Sequence, residues 1–270
     1  MKRTDLAIEA TENLGAADGI MREQNSVDGI KITRISVGRE SAKRIGRAEG
    51  KYITLETGDI AAGLLDTEKA ASAVARELAA LVGNFERALV IGLGNTEITP
   101  DALGPKTADR VLATRHLSED IKRRTGLMGL RSVSVLSPGV LGQTGMESAE
   151  VIRAVCRTVK PDAVIAIDAL AAADINRLGN TVQLSSGGIS PGSGVGNRRA
   201  ELSERTLGTR VIAVGIPTVA DSSTFGGEGG FIVTPREIDM LIIHASELLA
   251  HAVNICLQPE IDREILLSLV

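Results

Sequence analysis

The chain has almost no aromatic residues: no tryptophan, a single tyrosine (Tyr52) and three phenylalanines (Phe85, Phe225 and Phe231) in 270 residues. So few flat rings argue against a base-stacking platform for single-stranded nucleic acid, and they require an aliphatic core. There is no surplus of positive charge either. The net charge of -4 and a pI near 5.6 argue against a protein that holds DNA or RNA through phosphates. Cysteine is scarce: Cys156 and Cys256 lie far apart with no C-x-x-C, which predicts a reduced, cytoplasmic compartment and no disulfide framework. No apolar leader opens the chain, since Met1 to Ala10 is charged. The apolar stretch Ala163 to Ala173 is too short to span a bilayer and contains Asp168, so no membrane partner is expected. The length fits one large α/β domain over residues 1–270.

What is present is organised around Arg87 to Pro105, R-A-L-V-I-G-L-G-N-T-E-I-T-P-D-A-L-G-P. Ala88 to Ile91 reads as a strand buried on both faces of a parallel sheet. It ends on Gly92, Gly94 and Asn95, residues that permit a sharp turn at the carboxyl edge, where open α/β folds place their sites. Asp101 follows between Pro100 and Gly104-Pro105, a stiff loop that fixes a carboxylate.

Before this stretch, Asn13 to Asp28 reads as a mobile connection. Ile30, Ile32, Ile35 and Val37, then Tyr52 to Leu55, predict a small antiparallel strand pair near a sheet edge. Asp66 to Val82 predicts a helix capped by Asp66 or Thr67. After the Asp101 loop the pattern predicts a helix over Thr107 to Leu117, a strand at Val133 to Leu136, a glycine-rich loop from Ser137 to Gly145 and a helix from Glu147 to Val159. The strand Ala163 to Ile167 then runs into Asp168. Val182 to Leu184 and Val211 to Gly215 add strands on either side of the Ser185 to Arg199 loop. Thr234-Pro235-Arg236-Glu237 has the form of a capping box, and the helix beyond it carries an apolar stripe through Leu241, Ile242, Ala245, Leu248 and Leu249. The fold class expected is α/β, a mostly parallel sheet flanked by helices, with a small N-terminal strand pair.

Asp101 and Asp168 stand at the ends of two predicted strands. On neighbouring strands the two acids would share one edge, and one could keep its proton while the other acts as a base toward water. Strand-end aspartates also simply cap the next helix, and spacing alone leaves both readings open. The GLGN turn is a poor dinucleotide fingerprint, because Glu97 stands where a third glycine would fall. Gly188-Ile189-Ser190-Pro191-Gly192 matches G-x-S-x-G, but Pro191 has no N–H to serve an oxyanion hole. His244, Glu247 and His251 can share a helix face without forming a recognised metal motif. No cofactor is expected, and no metal. Arg198 and Arg199, if they face the crevice, would attract an acidic polypeptide.

With these residues in view the chain resembles the germination protease family of spore-forming bacteria, endopeptidases that degrade small acid-soluble spore proteins. The matching stretches are T-D-L-A-I-E-A from Thr4, G-L-G-N and T-P-D-A-L-G-P through Pro105, and T-R-H-L from Thr114. Further on come P-G-V-L-G-Q-T-G-M-E-S from Pro138, A-I-D-A-L-A-A from Ala166, P-G-S-G-V-G-N from Pro191 and G-I-P-T-V-A-D from Gly215. The resemblance implies a homotetrameric enzyme of the forespore and spore core, with a fold shared with hydrogenase maturation proteases. It implies essential roles for Asp101 and Asp168, cleavage after Glu or Asp, and self-cleavage of a zymogen between Asp5 and Leu6. Asn95, Gly142, Arg198 and Arg199 are the expected substrate contacts. Two departures stand out: only five residues precede the expected cut, and the link from Asp221 to Gly230 is short.

Overall fold

The computed structural model describes residues 4–192, 200–225 and 231–269. Its strands are β1 (Ile20–Val27), β2 (Ile30–Val37), β3 (Gly50–Glu56), β4 (Arg87–Gly92), β5 (Ser132–Leu136), β6 (Ala163–Ala172), β7 (Thr181–Ser185), β8 (Arg210–Asp221) and β9 (Ile232–Val233). They form one sheet in the order β1-β2-β3-β7-β8-β6-β4-β5, with β9 paired to the end of β8. The sheet is mixed. From β8 through β6 and β4 to β5 the strands run parallel, and from β8 through β7, β3 and β2 to β1 each neighbour is antiparallel.

The helices are α1 (Ala7–Ala10), α2 (Arg39–Ile45), α3 (Thr67–Val82), α4 (Leu103–Ala108), α5 (Glu119–Thr125), α6 (Leu141–Thr144), α7 (Ser148–Val159), α8 (Glu204–Leu207), α9 (Ile238–Leu257) and α10 (Arg263–Ser268). Side chains alternate across each strand, so the two faces of the sheet have different covers. Ile165 and Ile167 of β6, with Val182, Leu184, Ile212 and Val214, pack against Val74 and Leu78 of α3 and Leu241, Ala245 and Leu248 of α9. On the other face, Leu89, Ile91, Val164 and Ala166 pack against Ile152 and Cys156 of α7. Next to them, Leu170 and Ala172 join Ile20, Ile35, Val37 and Tyr52 under a lid made of Leu6, Ala7 and Ile8. By length and composition α9 is apolar enough to cross a membrane, but here it is the central core helix, with most of its length buried.

The expected α/β class, the N-terminal strand pair and the Asp66 cap are present, and Asp66 accepts the Lys69 N–H at 3.1 Å. Four local expectations are corrected. The supposed mobile connection contains β1, which pairs with β2 along its whole length through a tight Asp28-Gly29 turn, both residues having positive φ. Most side chains of β1 are exposed, so it shows none of the apolar alternation that marks a half-buried strand. No helix covers 107–117. The helix sits earlier, in α4, and the N–H groups of Thr114 and Arg115 instead donate to the Val133 carbonyl at 2.9 and 3.0 Å. The Thr234 capping box does not form: α9 begins at Ile238 with Glu237 as an unbonded N-cap, and the Thr234 hydroxyl donates to the Pro235 carbonyl. Finally, Asp168 is not at a strand end, because β6 continues to Ala172 beside β8. What ends at this level is its other neighbour, β4, whose last pair is Gly92 with Ile167.

Candidate active site

The turn after β4 is built by close approach. Leu93 donates its N–H to the Ile167 carbonyl at 2.8 Å, so the chain leaves the sheet directly beside Asp168. Gly94 has φ +123°, and a Cβ there would lie 1.9 Å from the Asp101 carbonyl oxygen, so only glycine fits. Gly104 opens α4 so tightly against the sheet that a Cβ would meet the Leu93 and Ile167 carbonyl oxygens at 2.2 and 2.5 Å.

Asp101 is half-buried, and its Oδ2 accepts the Asn95 N–H at 2.8 Å. Asn95 is a hub: its Oδ1 accepts the Glu97 N–H at 2.9 Å and the Gln143 side-chain N–H at 2.6 Å. From the other side the Thr218 hydroxyl donates to the Pro100 carbonyl at 2.8 Å. Asp168 is buried, 5% exposed, and its Oδ1 accepts the N–H of Ala169 at 2.9 Å. The turn that carries Asp101 thus leaves the sheet beside Ile167 and Asp168, while Asp168 itself lies within β6 rather than at its end. Gly142 lies in α6, exposed, one residue from the Gln143 that reaches Asn95. Arg198 and Arg199 lie outside the described residues. Cys156 is a core residue whose thiol is pushed up by burial.

A cleft of about 820 Å³ opens over the second face of the sheet. Its floor includes Asp168 and Leu170 of β6, Ala213 and Gly215 of β8, and Gln183 and Ser185 of β7, and Arg47 and Tyr52 stand on its wall. Asp168 and Gln183 both pair with Gly215, so the three form one row across the floor. Asp101 is not among the residues lining the cleft.

The chain's own N-terminal segment forms part of the wall of this cleft, through Thr4, Asp5 and Glu9. Asp5 takes both backbone groups of Ala171, its N–H donating to the Ala171 carbonyl at 2.7 Å and its Oδ2 accepting the Ala171 N–H at 2.9 Å. These groups sit where the β6–β8 register shifts, between Leu170 and Ala171. Leu6 and Ala7 are wholly buried. Glu9 accepts the N–H groups of Ala173 and Asp174 at 2.8 and 3.0 Å and also faces Arg177 at 3.6 Å. The expected cleavage bond is therefore not on an exposed tail: Asp5 lines the same cleft as Asp168, and Leu6 is buried beneath it. Neither Gln183 nor Arg47 was legible as a site residue. The alternation of T-V-Q-L-S puts Gln183 on the face opposite Val182 and Leu184, which is the one signal that it carries.

The family model described as germination protease matches residues 2–230. The chain belongs to the germination protease family. The germination protease of Clostridium tetani is 38% identical over an alignment of 316 positions that takes in 97% of each chain. That of Clostridium acetobutylicum is 36% identical over 96% of each. That of Priestia megaterium is 41% identical over 90% of this chain and 67% of its own. The first alignment is longer than this chain, so the relative carries residues for which this protease has no counterpart. Among solved structures, a [NiFe] hydrogenase maturation protease from Thermococcus kodakarensis overlaps 66% of this chain and 98% of its own, with a TM-score of 0.40 and 18% identity. Family membership makes this protein a hydrolase, a protease with a role in spore germination.

Proposed function

We propose that this protease is the endopeptidase that starts the breakdown of small acid-soluble spore proteins during germination, acting in the spore core as a homotetramer. It cuts after Glu or Asp. Asp101 and Asp168 bind one water, one carboxylate drawing its proton as the attack begins and the other acid giving a proton to the leaving amine. The same chemistry removes residues 1–5 by cutting between Asp5 and Leu6.

The observation that supports this reading is the Leu93 to Ile167 hydrogen bond, which joins the turn carrying Asp101 to the residue before Asp168. Stiffness at both acids adds to it, since a general acid and base must be held within hydrogen-bond reach of one substrate position. The test is incubation with a purified acid-soluble spore protein, followed by mass spectrometry of substrate fragments and of the enzyme's own terminus. Asp101→Asn and Asp168→Asn should each lower cleavage by on the order of 1,000-fold or more while melting as cooperatively as the parent. Near-parental cleavage by either variant would remove that residue from the mechanism.

A further inference from the structure

Thr4 to Ala7 are held by side chains that grip them as a bound peptide is gripped. The Gln183 side-chain amide brackets Leu6 and so engages two successive peptide bonds: its Nε2 donates to the Asp5 carbonyl at 2.9 Å, and its Oε1 accepts the Ala7 N–H at 2.6 Å. The Asp5 carbonyl belongs to the Asp5–Leu6 bond itself. Arg47 completes the grip. Its guanidinium donates to the Thr4 carbonyl and lies 3.8 Å from the Asp5 carboxylate, both side chains being largely buried. Leu6 fills the apolar space between Ile20, Ile35, Tyr52 and Leu170. Ala7 is wholly buried beside it.

From this we infer that Arg47 and Gln183 form the acid-reading subsite of the protease, with Thr4 to Ala7 as its resident example. The inference rests on the proposed cut after an acidic residue. Three of the four contacts are to main-chain groups that any extended peptide offers. The fourth, Arg47 with the Asp5 carboxylate that also accepts the Ala171 N–H, is the one of these four that discriminates, because a buried guanidinium left without an anion is penalised. Gln183 has a second role. A side-chain N–H aimed at the carbonyl oxygen of the bond to be broken is positioned to stabilise the charge that develops there. Its place in the row with Gly215 and Asp168 supports this: two strand spacings separate the Cα atoms of Gln183 and Asp168, roughly 10 Å, and both side chains rise from the face of the sheet that carries the cleft.

The test uses the full-length protein and synthetic peptides that share Thr-X-Leu-Ala and differ only in X, with Glu, Gln or Lys before the cut. The parent should prefer Glu over Gln by about 100-fold in kcat/KM. Arg47→Gln should bring that ratio to within about threefold, chiefly by losing the Glu peptide. Arg47→Glu should favour the Lys peptide, a gain that misfolding cannot imitate. Gln183→Leu should slow the Glu and Gln peptides alike, by roughly 100- to 1,000-fold and mainly in kcat, leaving the ratio between them intact. Undiminished preference for Glu in Arg47→Gln, or an unchanged kcat in Gln183→Leu, would overturn the assignment while the protease reading stands. A parent that cuts peptides with no preference for acid would overturn the proposed specificity and this subsite together.

Discussion

The Asp101 turn and the Asp5 segment meet the same sheet, and they are held by opposite means. The turn is held mainly by its own backbone. Gly94 and Gly104 bring main-chain atoms into contact, and Asp101 bonds an amide a few residues away in sequence. The Asp5 segment is held by side chains and strands from remote parts of the chain: Arg47, Gln183, Ala171 and Ala173. The difference teaches that the proposed chemistry is built on short-range stiffness, whereas the grip on a peptide is assembled late, from elements that meet only in the finished fold. A backbone-built site tolerates no added atoms, while a side-chain grip can be loosened without losing the sheet.

The largest expected effect breaks the first member of the pair. Gly104→Ala sets a methyl group against two carbonyl oxygens of the backbone and should cost about 4 kcal/mol or more, read as a fall in urea midpoint and loss of cleavage. Gly142→Ala, which has open space around it, is the matched control and should leave the urea midpoint unchanged. An intact Gly104→Ala protein would mean that the turn is far less rigid than its contacts imply.

The next prediction sharpens the contrast. Leu6→Ala deletes a wholly buried side chain and should weaken docking by about 2–4 kcal/mol. Amides of residues 6–12 should then exchange faster by hydrogen–deuterium mass spectrometry, while β4 and β6 keep their protection. Parallel loss of protection in β4 would show that segment and sheet are one cooperative unit.

The smallest effect is a baseline from the far end of the same strands. Asp162, just before β6, is held down to about 2 by its hydrogen bond to the Arg87 guanidinium and by backbone N–H groups, those of Arg87 and Glu86. A depressed carboxylate contributes stability that is complete above its unfolded value near 4 and is lost as pH falls from there through about 2. Because Arg87 is about half exposed and Asp162 about one-third, solvent screening limits the contribution to about 1 kcal/mol or less. Urea titrations between pH 5 and 2 should show that small loss in the parent and its absence in Asp162→Asn, with neither the turn nor the segment involved.

Legibility in the sequence followed the range of the causes. The aliphatic runs of β4, β5 and β6 and the stripe of α9 announce themselves because burial on one or two faces imposes a pattern on adjacent residues. Asp101 could be singled out because prolines and glycines stiffen its own neighbourhood. Asp168 could be noticed as an acid at the end of an apolar run, but the strand passes through it, since β8 goes on pairing after β4 has stopped. β1 is not legible in the sequence because a strand exposed along most of its length carries no period, and only its Asp-Gly turn hints at a hairpin. Gln183 and Arg47 carry no local mark of their task.

Composition and spacing on their own determined the α/β class, the aliphatic core, the stiff acidic turn and the family likeness, because each depends on residues close together along the chain. Only tertiary structure decided that β4 and β6 are neighbours, that Gly215 lines Gln183 up with Asp168, and that Thr4 and Asp5 line the same cleft as Asp168. Those facts depend on which strand edges pair and which polar groups find partners across long loops, and such pairings are settled by the whole sheet at once.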